Sequence, residues 1–463
     1  MLRYFRINDP YRLVGVLVIT VIIYLPLLLD SPSLTYPELK SMIIGEKVSL
    51  GSLPHTRVAD HTGPVSMWVD SVIEFLFGRS LVARHIMGVL IIFFQSAYLG
   101  IMFIDKKVFG ENTFIPSLIF SVLFLFSFDT WTLSSDLMGS GFLLLALDNL
   151  FKEIEFRVQR DETIFNLGVF ISMASLCNFA FSVYLAASIV ILLVYTRTSG
   201  RKYLLAIFGF LLPHLILICI YYLNGTLEKF WNYYYLANLG FNREALMSGK
   251  GLFILTLLPI IYLAVSLFML NREARFSKYQ SQLLQSVVLW TGFSFLYILL
   301  AKDQRPQNLI VFIPCFSFFF THFLLMIRRK KFAEINLWLF LLGVVTTSYL
   351  ARYGKLESIN YERMFVKTEN QAISNKKILV LENDLSLYAE NSLATKFLNW
   401  DLSRDIFEHP EYYDNITEVY EAFRKDMPQV IVDPNHVMDA FWEKMPGLKR
   451  RYKKVSDGVY RLI

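Results

Sequence analysis

Seven residues have types and spacing that could serve chemistry: Glu38, Asp60, His61, Trp68, Asp136, Arg243 and Arg305. A carboxylate within hydrogen-bond reach of a hydroxyl can take its proton as a general base, and Glu38 is the candidate. Arginine matches the geometry of phosphate oxygens and stabilises charge that develops on a phosphate leaving group. Arg305 is the first candidate for that work and Arg243 the second. Asp136 could align a reacting hydroxyl or help to hold a divalent cation. Asp60, His61 and Trp68 are candidate substrate contacts. The Asp60-His61 pair could also be a zinc pair, though it has no third ligand at a known zinc spacing.

Each has a purely structural alternative. Glu38 fits a turn of an interfacial helix. Asp136 follows Ser134-Ser135 and fits a helix first turn, where a carboxylate is favourable. Arg305 fits a headgroup anchor. His214 and His322 lie inside apolar runs, where an ionisable group is a functional candidate by default, yet neutral packed imidazoles explain them equally. Trp231 and Tyr233-Tyr234-Tyr235 suit either sugar stacking or an interfacial aromatic belt.

The elements that must position these residues are membrane helices. Of 463 residues, 55% are hydrophobic and 18% charged, against about 25% charged in soluble domains. The apolar residues fall in runs of the length a bilayer demands. The net charge of +6 comes from Lys and Arg in short loops between those runs, the positive-inside pattern, and not from a nucleic-acid surface. The three cysteines sit within apolar runs and read as small buried hydrophobes. Arg3, Arg6 and Arg12 keep the N-terminus cytoplasmic. Spans are then expected at 13–29, 81–104, 114–128, 137–151, 203–223, 252–270, 283–301, 309–327 and 335–350. The stretch 163–195 is long for one helix, and the loops on both sides of it are basic. Parity therefore requires two short helices that turn near Asn178, for about eleven spans in all. This topology places all seven residues on the outer face.

The expected organisation is a transmembrane domain, 1–350, with a long outer loop at 30–80, followed by an extracytoplasmic α/β domain, 351–463. In the latter, 377–381 and 429–433 read as buried strands and 458–463 as a last strand. The spacing at 392–398, 416–423 and 437–445 predicts helices. Asp384 and Asp433 follow strand ends, where turn and cap roles are common.

The outer loop is the most informative stretch. It runs Thr35-Tyr36-Pro37-Glu38-Leu39-Lys40, then Gly45-Glu46, then Asp60-His61-Thr62-Gly63-Pro64, Trp68, and Phe75-Leu76-Phe77-Gly78-Arg79-Ser80. The segment 65–77 could lie along the membrane surface. This order resembles the GT-C superfamily of membrane glycosyltransferases. It is most similar to the bacterial branch of lipid A aminoarabinose transferases and relatives of protein O-mannosyltransferases. Thr132-Leu133-Ser134-Ser135-Asp136-Leu137 and Gln304-Arg305-Pro306-Gln307-Asn308 with Pro314 resemble two further family elements. The resemblance implies many helices followed by an outer soluble domain, over nearly the whole chain. It implies transfer of a sugar from a polyprenyl-phosphate carrier, at the outer face of a bacterial inner membrane, to an envelope acceptor, by a single inverting displacement. The partners are then the lipid-linked donor, membrane lipids and an envelope acceptor or partner protein. Two departures stand out: the family's Asp-Glu pair is here Pro37-Glu38, and its Lys-Pro-Pro is Thr62-Gly63-Pro64. They favour, as an alternative, a non-catalytic scaffold or accessory protein in envelope assembly or secretion. A lipid or small-molecule transporter is a third reading, opposed by the lack of a clear internal repeat.

Overall fold

The computed structural model describes the chain except for residues 30–32, 156–159, 197–198, 241–242, 274–275, 354, 357–358, 360–362 and 367–372. The apolar runs fold as helices, the only open-ended structure that satisfies every backbone group within a lipid core. Among the described residues, seven helices are long and apolar enough to cross a bilayer. They are Arg12–Leu29, Leu81–Asp105, Gly200–Leu223, Gly249–Arg272, Lys278–Leu300, Pro306–Met326 and Lys330–Arg352. The other four expected spans are also helical, but shorter or more polar: Ile115–Phe126, Ser135–Ile154, Asp161–Cys177 and Phe179–Tyr195. The protein is thus an integral membrane protein with a small C-terminal sheet. Among the described residues seven helices, not eleven, have the length and composition of a span.

Two compact units form. The first comprises Met1–Pro32, Val82–Leu217 and Asn242–Glu362. Its core is rich in phenylalanine, with Phe318, Phe319 and Phe320 each nearly inaccessible. The helical stretch 163–195 does break at Asn178. That residue ends the helix Asp161–Cys177, and its Oδ1 accepts from the Ala180 backbone N–H at 3.1 Å to start the next turn. Of the cysteines, Cys177 and Cys315 are buried as expected, whereas Cys219 is exposed. Two short strands, β1 (Glu244–Ala245) and β2 (Asp303–Gln304), pair in parallel in this unit.

The second unit comprises Ser33–Leu81, Ile218–Phe241 and Arg363–Ile463. Its sheet contains β3 (Lys377–Val380), β4 (Ser392–Leu393), β5 (Val430–Val432), β6 (Tyr452–Ser456) and β7 (Val459–Leu462), in the order β4-β3-β5-β7-β6. β3 is parallel to β4 and β5, and β7 is antiparallel to β5 and β6. Alternate residues of a strand face opposite ways, and here both faces are buried. Leu379 and Ile431 pack with Phe407, Phe423, Phe441 and Trp442 of the C-terminal helices. Ile378, Val380 and Val430 pack instead against Leu39, Ile43, Ile44 and Met67 of the first loop. The loop supplies these through two helices, Tyr36–Lys47 and Pro64–Phe77. They cross closely at Gly45, where a β-carbon would lie 2.6 Å from the Asp70 carbonyl oxygen. The helix predicted at 392–398 is absent. Ser392–Leu393 is instead an edge strand, and the helix of that region is Trp400–Glu408, capped by Asn399. Asp433 takes the cap role, accepting from the backbone N–H groups of Val437 and Met438 at 3.0 and 2.8 Å.

Candidate active site

In the first unit, three polar side chains from three separate segments meet at one buried carboxylate, that of Asp136. Asp136 lies in the first turn of the helix Ser135–Ile154, whose N-cap is Ser134. Its Oδ1 accepts from Asn178 Nδ2 and from the Tyr297 hydroxyl, both at 2.6 Å. Its Oδ2 accepts from Arg305 Nη2 at 2.8 Å. Each partner has a local reason to be there. The helix break turns the Asn178 amide inward. Tyr297 sits near the end of the helix Lys278–Leu300 and stacks on Phe181 at 4.6 Å. Arg305 follows β2 and precedes Pro306, whose fixed φ suits the start of the next helical turn. The Arg305 backbone N–H donates to Asn308 Oδ1 at 2.9 Å.

A second carboxylate ties the loop before Asp136 to the same segment. Asp129 accepts from Ser127 Oγ at 2.9 Å and from the Gln307 backbone N–H at 3.2 Å. The Gln307 side chain donates to the Asp129 carbonyl at 3.1 Å. Trp131 anchors the loop, packed on His85 at 4.3 Å and Tyr24 at 5.8 Å. Gly88 permits this approach: a β-carbon there would lie 2.2 Å from the Trp131 carbonyl oxygen.

The electrostatics follow from burial and from the excess of carboxylates. Burial works against the Arg305 charge, but Asp136, Asp303 and Asp129 outweigh it and raise its pKa above the ordinary value. Burial pushes Asp129 up to about 6, although Arg305, Ser127 and Gln307 all favour its ionised form. Guanidinium has five N–H donors in a fixed fork. In Arg305, Nη2 is bound to Asp136, while Nε is buried with no hydrogen-bond partner among the described residues.

The other candidates fall as follows. Arg243 is exposed and immediately precedes β1, whereas Arg305 follows β2, so with Glu244 paired to Asp303 in parallel the two arginines flank opposite ends of this short ladder. Glu38, Asp60, His61 and Trp68 belong to the second unit. Glu38 is 5% exposed, and its Oε2 accepts from the backbone N–H and the hydroxyl of Thr35 at 3.0 and 2.8 Å, which completes a capping box. Asp60 is fully buried beside Lys40 Nζ at 2.9 Å. Burial opposes its charge, but Lys40, His61 and the Thr62 hydroxyl hold its pKa well below the usual carboxylate range. His61 Nδ1 lies 3.3 Å from Asn399 Nδ2, and Trp68 donates to the Ser52 carbonyl at 3.3 Å.

Asp136, offered by the sequence for a divalent cation, has both oxygens engaged by protein donors. Among the described residues no group of three His, Cys, Asp or Glu side chains has metal-holding geometry. Of the intramembrane histidines, His214 contacts Ser175 Oγ at 2.9 Å, and His322 packs between Phe109 and Phe318. Sequence reasoning missed Asn178, Tyr297, Asp129 and Gln307 as members of the site. Asn178 alone carried a signal, as the polar residue at an expected helix break.

No family model matches the chain, and no curated protein matches its sequence. Solved structures do match in fold. ArnT from Cupriavidus metallidurans bound to undecaprenyl phosphate superposes with TM-score 0.58 at 13% identity, over 96% of this chain and 97% of that one. The apo state of the same protein gives 0.57 at 14% identity, over 97% of each chain. The Archaeoglobus fulgidus oligosaccharyltransferase in its apo form gives 0.49 at 10% identity, over 96% of this chain and 73% of that one. The match to ArnT is one of fold, the kind of fold that the loop resemblance implied.

Proposed function

We propose that this chain is a GT-C type glycosyltransferase that moves a sugar from a polyprenyl-phosphate carrier to an envelope acceptor. The observation that carries the reading is the buried Arg305, fixed by Asp136 and retaining a buried Nε donor with no acceptor among the described residues. A lipid phosphate is the natural complement of such a group. The neighbour of like fold was crystallised with undecaprenyl phosphate, which makes that lipid the first ligand to test.

As the sugar leaves, its bond to the phosphate oxygen breaks and the electron pair stays on the phosphate. Arg305 meets the added charge in a site sheltered from water, where such stabilisation is strongest. Arg243, exposed beside β1, is the second phosphate contact. Asp136 acts through Arg305 and is a positioning residue, itself held by Asn178 and Tyr297. On the sequence pattern, Glu38 is the base that takes the acceptor proton as the acceptor oxygen attacks the sugar carbon, with inversion in one step. His61 and Trp68 are the acceptor contacts, and Asp60, buried and paired with Lys40, holds the loop that carries them.

The missing Lys-Pro-Pro lysine and the neutralisation of Arg305 by Asp136 support a second reading, the non-catalytic scaffold. Arg305→Lys separates the two. Lysine retains the charge beside Asp136 but loses the planar fork that grips phosphate. In a deletion strain, wild type restores an envelope glycan seen by mass spectrometry, and an equally expressed Arg305→Lys does not. Full restoration by the variant, or no glycan change on deletion, leaves the scaffold. The proposed orientation has the N-terminus cytoplasmic and residues 351–463 periplasmic. A C-terminal alkaline phosphatase fusion should then be active, and an inactive fusion reverses it.

A further inference from the structure

The second unit contains a cavity of about 710 Å³, within the range of about 300–1,000 Å³ usual for small-molecule sites. Three of its walls come from different parts of the unit: the end of the helix Tyr36–Lys47, the segment around Tyr233, and the helix Tyr413–Lys425 with the edge strand β4. Its lining is unusual for a ligand pocket. Six lysine or arginine side chains and six carboxylates face it, against three aliphatic residues, Ile43, Leu393 and Ala422.

Half of the cations are committed within the wall. Lys47 and Lys377 both pair with Asp426, the latter at 2.9 Å, and Lys396 pairs with Glu418. Tyr233 donates to Glu418 at 3.2 Å and lies beneath Lys396 Nζ, 5.7 Å from the ring centroid. Among the described residues, Arg57, Lys229 and Lys425, and Glu228, Asp414 and Glu421, make no ion pair. They present three donors and three acceptors of full charge to the cavity.

This lining selects its ligand by chemistry. An acyl chain would find few apolar walls. A polyanion would meet as many carboxylates as cations, and the balanced charge gives no long-range attraction. A hydroxyl both donates and accepts, so it can bond a carboxylate and an ammonium at once, and bonds to charged groups are the strong ones. We propose that this cavity binds a neutral saccharide, the glycan segment of the acceptor. The word acceptor rests on the transferase reading; the saccharide site does not.

The test uses the full chain in lipid nanodiscs and saturation-transfer NMR. The probes are maltotriose and chitotriose, with glycerophosphocholine as a zwitterion and a sulfated disaccharide as an anion. At least one neutral trisaccharide should receive saturation. Thr417→Trp, which fills the cavity from the helix Tyr413–Lys425, should abolish it. Glu421→Gln, at an exposed position of the same helix, should weaken binding about tenfold, the loss of one charged hydrogen bond. Unchanged unfolding midpoints establish that both variants are folded. The proposal is overturned if neither trisaccharide binds, if only the zwitterion or the anion binds, or if Thr417→Trp leaves binding intact. Arg305→Lys keeps the cavity and should bind the trisaccharide as wild type does. Binding with no envelope glycan under the enzyme's control sinks the transferase reading alone. Confirmed transfer with no trisaccharide binding sinks the cavity proposal alone.

Discussion

The Asp136–Arg305 pair offers a stability test with a definite sign. Both side chains are buried, and three donors converge on one carboxylate. Arg305→Met leaves that carboxylate buried without its counter-charge, which costs about 3–5 kcal/mol. Asp136→Asn strands the guanidinium beside an amide. Asp129 and Asp303 still favour its charge, so the loss falls at the low end of that range, about 3 kcal/mol. If the two effects were independent, the double variant would lose about 6–8 kcal/mol. It should not. With both substitutions in one chain the pair carries no charge, and the new amide oxygen still accepts from Asn178 and Tyr297. The residual defect is one unpaired amide N–H, about 1–3 kcal/mol. The double variant should therefore be more stable than Arg305→Met alone. The assay is thermal unfolding of the full chain in nanodiscs, followed by tryptophan fluorescence at a single scan rate, since such midpoints depend on rate. The expected order is wild type, double variant, Arg305→Met. A double variant that unfolds below both single variants refutes the coupled-pair argument.

Other outcomes follow from the same geometry. Glutamine serves at the third position of a capping box as glutamate does, so Glu38→Gln should leave the unfolding midpoint unchanged while removing the base. Sugar transfer should then fall about 10²–10⁴-fold, whereas undiminished transfer would confine Glu38 to its capping role. Asp129 has a native pKa raised to about 6 from 3.8, so between those values the native state binds more proton than the unfolded chain. Stability must fall as pH rises through that window and level off above it. Asp129→Asn should flatten the fall, and an identical pH profile of midpoints in both proteins contradicts the assignment. Gly88→Ala places a methyl against the Trp131 carbonyl and should cost about 1–3 kcal/mol, as overpacking does. It should also depress transfer by displacing the loop that carries Asp129; wild-type activity with a wild-type midpoint would show that the loop adjusts freely.

Much of the helical frame was legible because bilayer spans need long apolar runs and basic loops share one side. The break at Asn178 followed from that parity rule, with Asn178 the polar residue that marks the turn. Strands β3 and β5 were legible as short, continuous apolar runs, because both of their faces are covered. Ser392–Leu393 was not, since a two-residue edge strand has too few residues to show a period. Tyr36–Lys47 was also hidden: a helix that packs on a sheet over three hundred residues away shows only a weak local pattern. The site was half legible. Arg305 and Asp136 were each singled out, but their direct pairing spans 169 residues, and no local spacing encodes a contact of that reach. Tyr297 was invisible for a related reason, being one aromatic near the end of an aromatic-rich helix.

The covering of the C-terminal sheet by the first loop has a consequence in time. The apolar face of Tyr36–Lys47 is made well before its cover, the strands β3 and β5. Between 330 and 385 residues separate Lys47 from the start of β3 and the end of β5, which at about 5–20 residues per second is on the order of 20–80 seconds of elongation. Throughout that interval Leu39, Ile43 and Ile44 lack the surface that shields them. A nascent chain must therefore carry an exposed sticky segment until β3 and β5 have emerged. Premature termination anywhere before β5 would leave that segment permanently uncovered, a mark by which quality-control proteases could recognise an unfinished product.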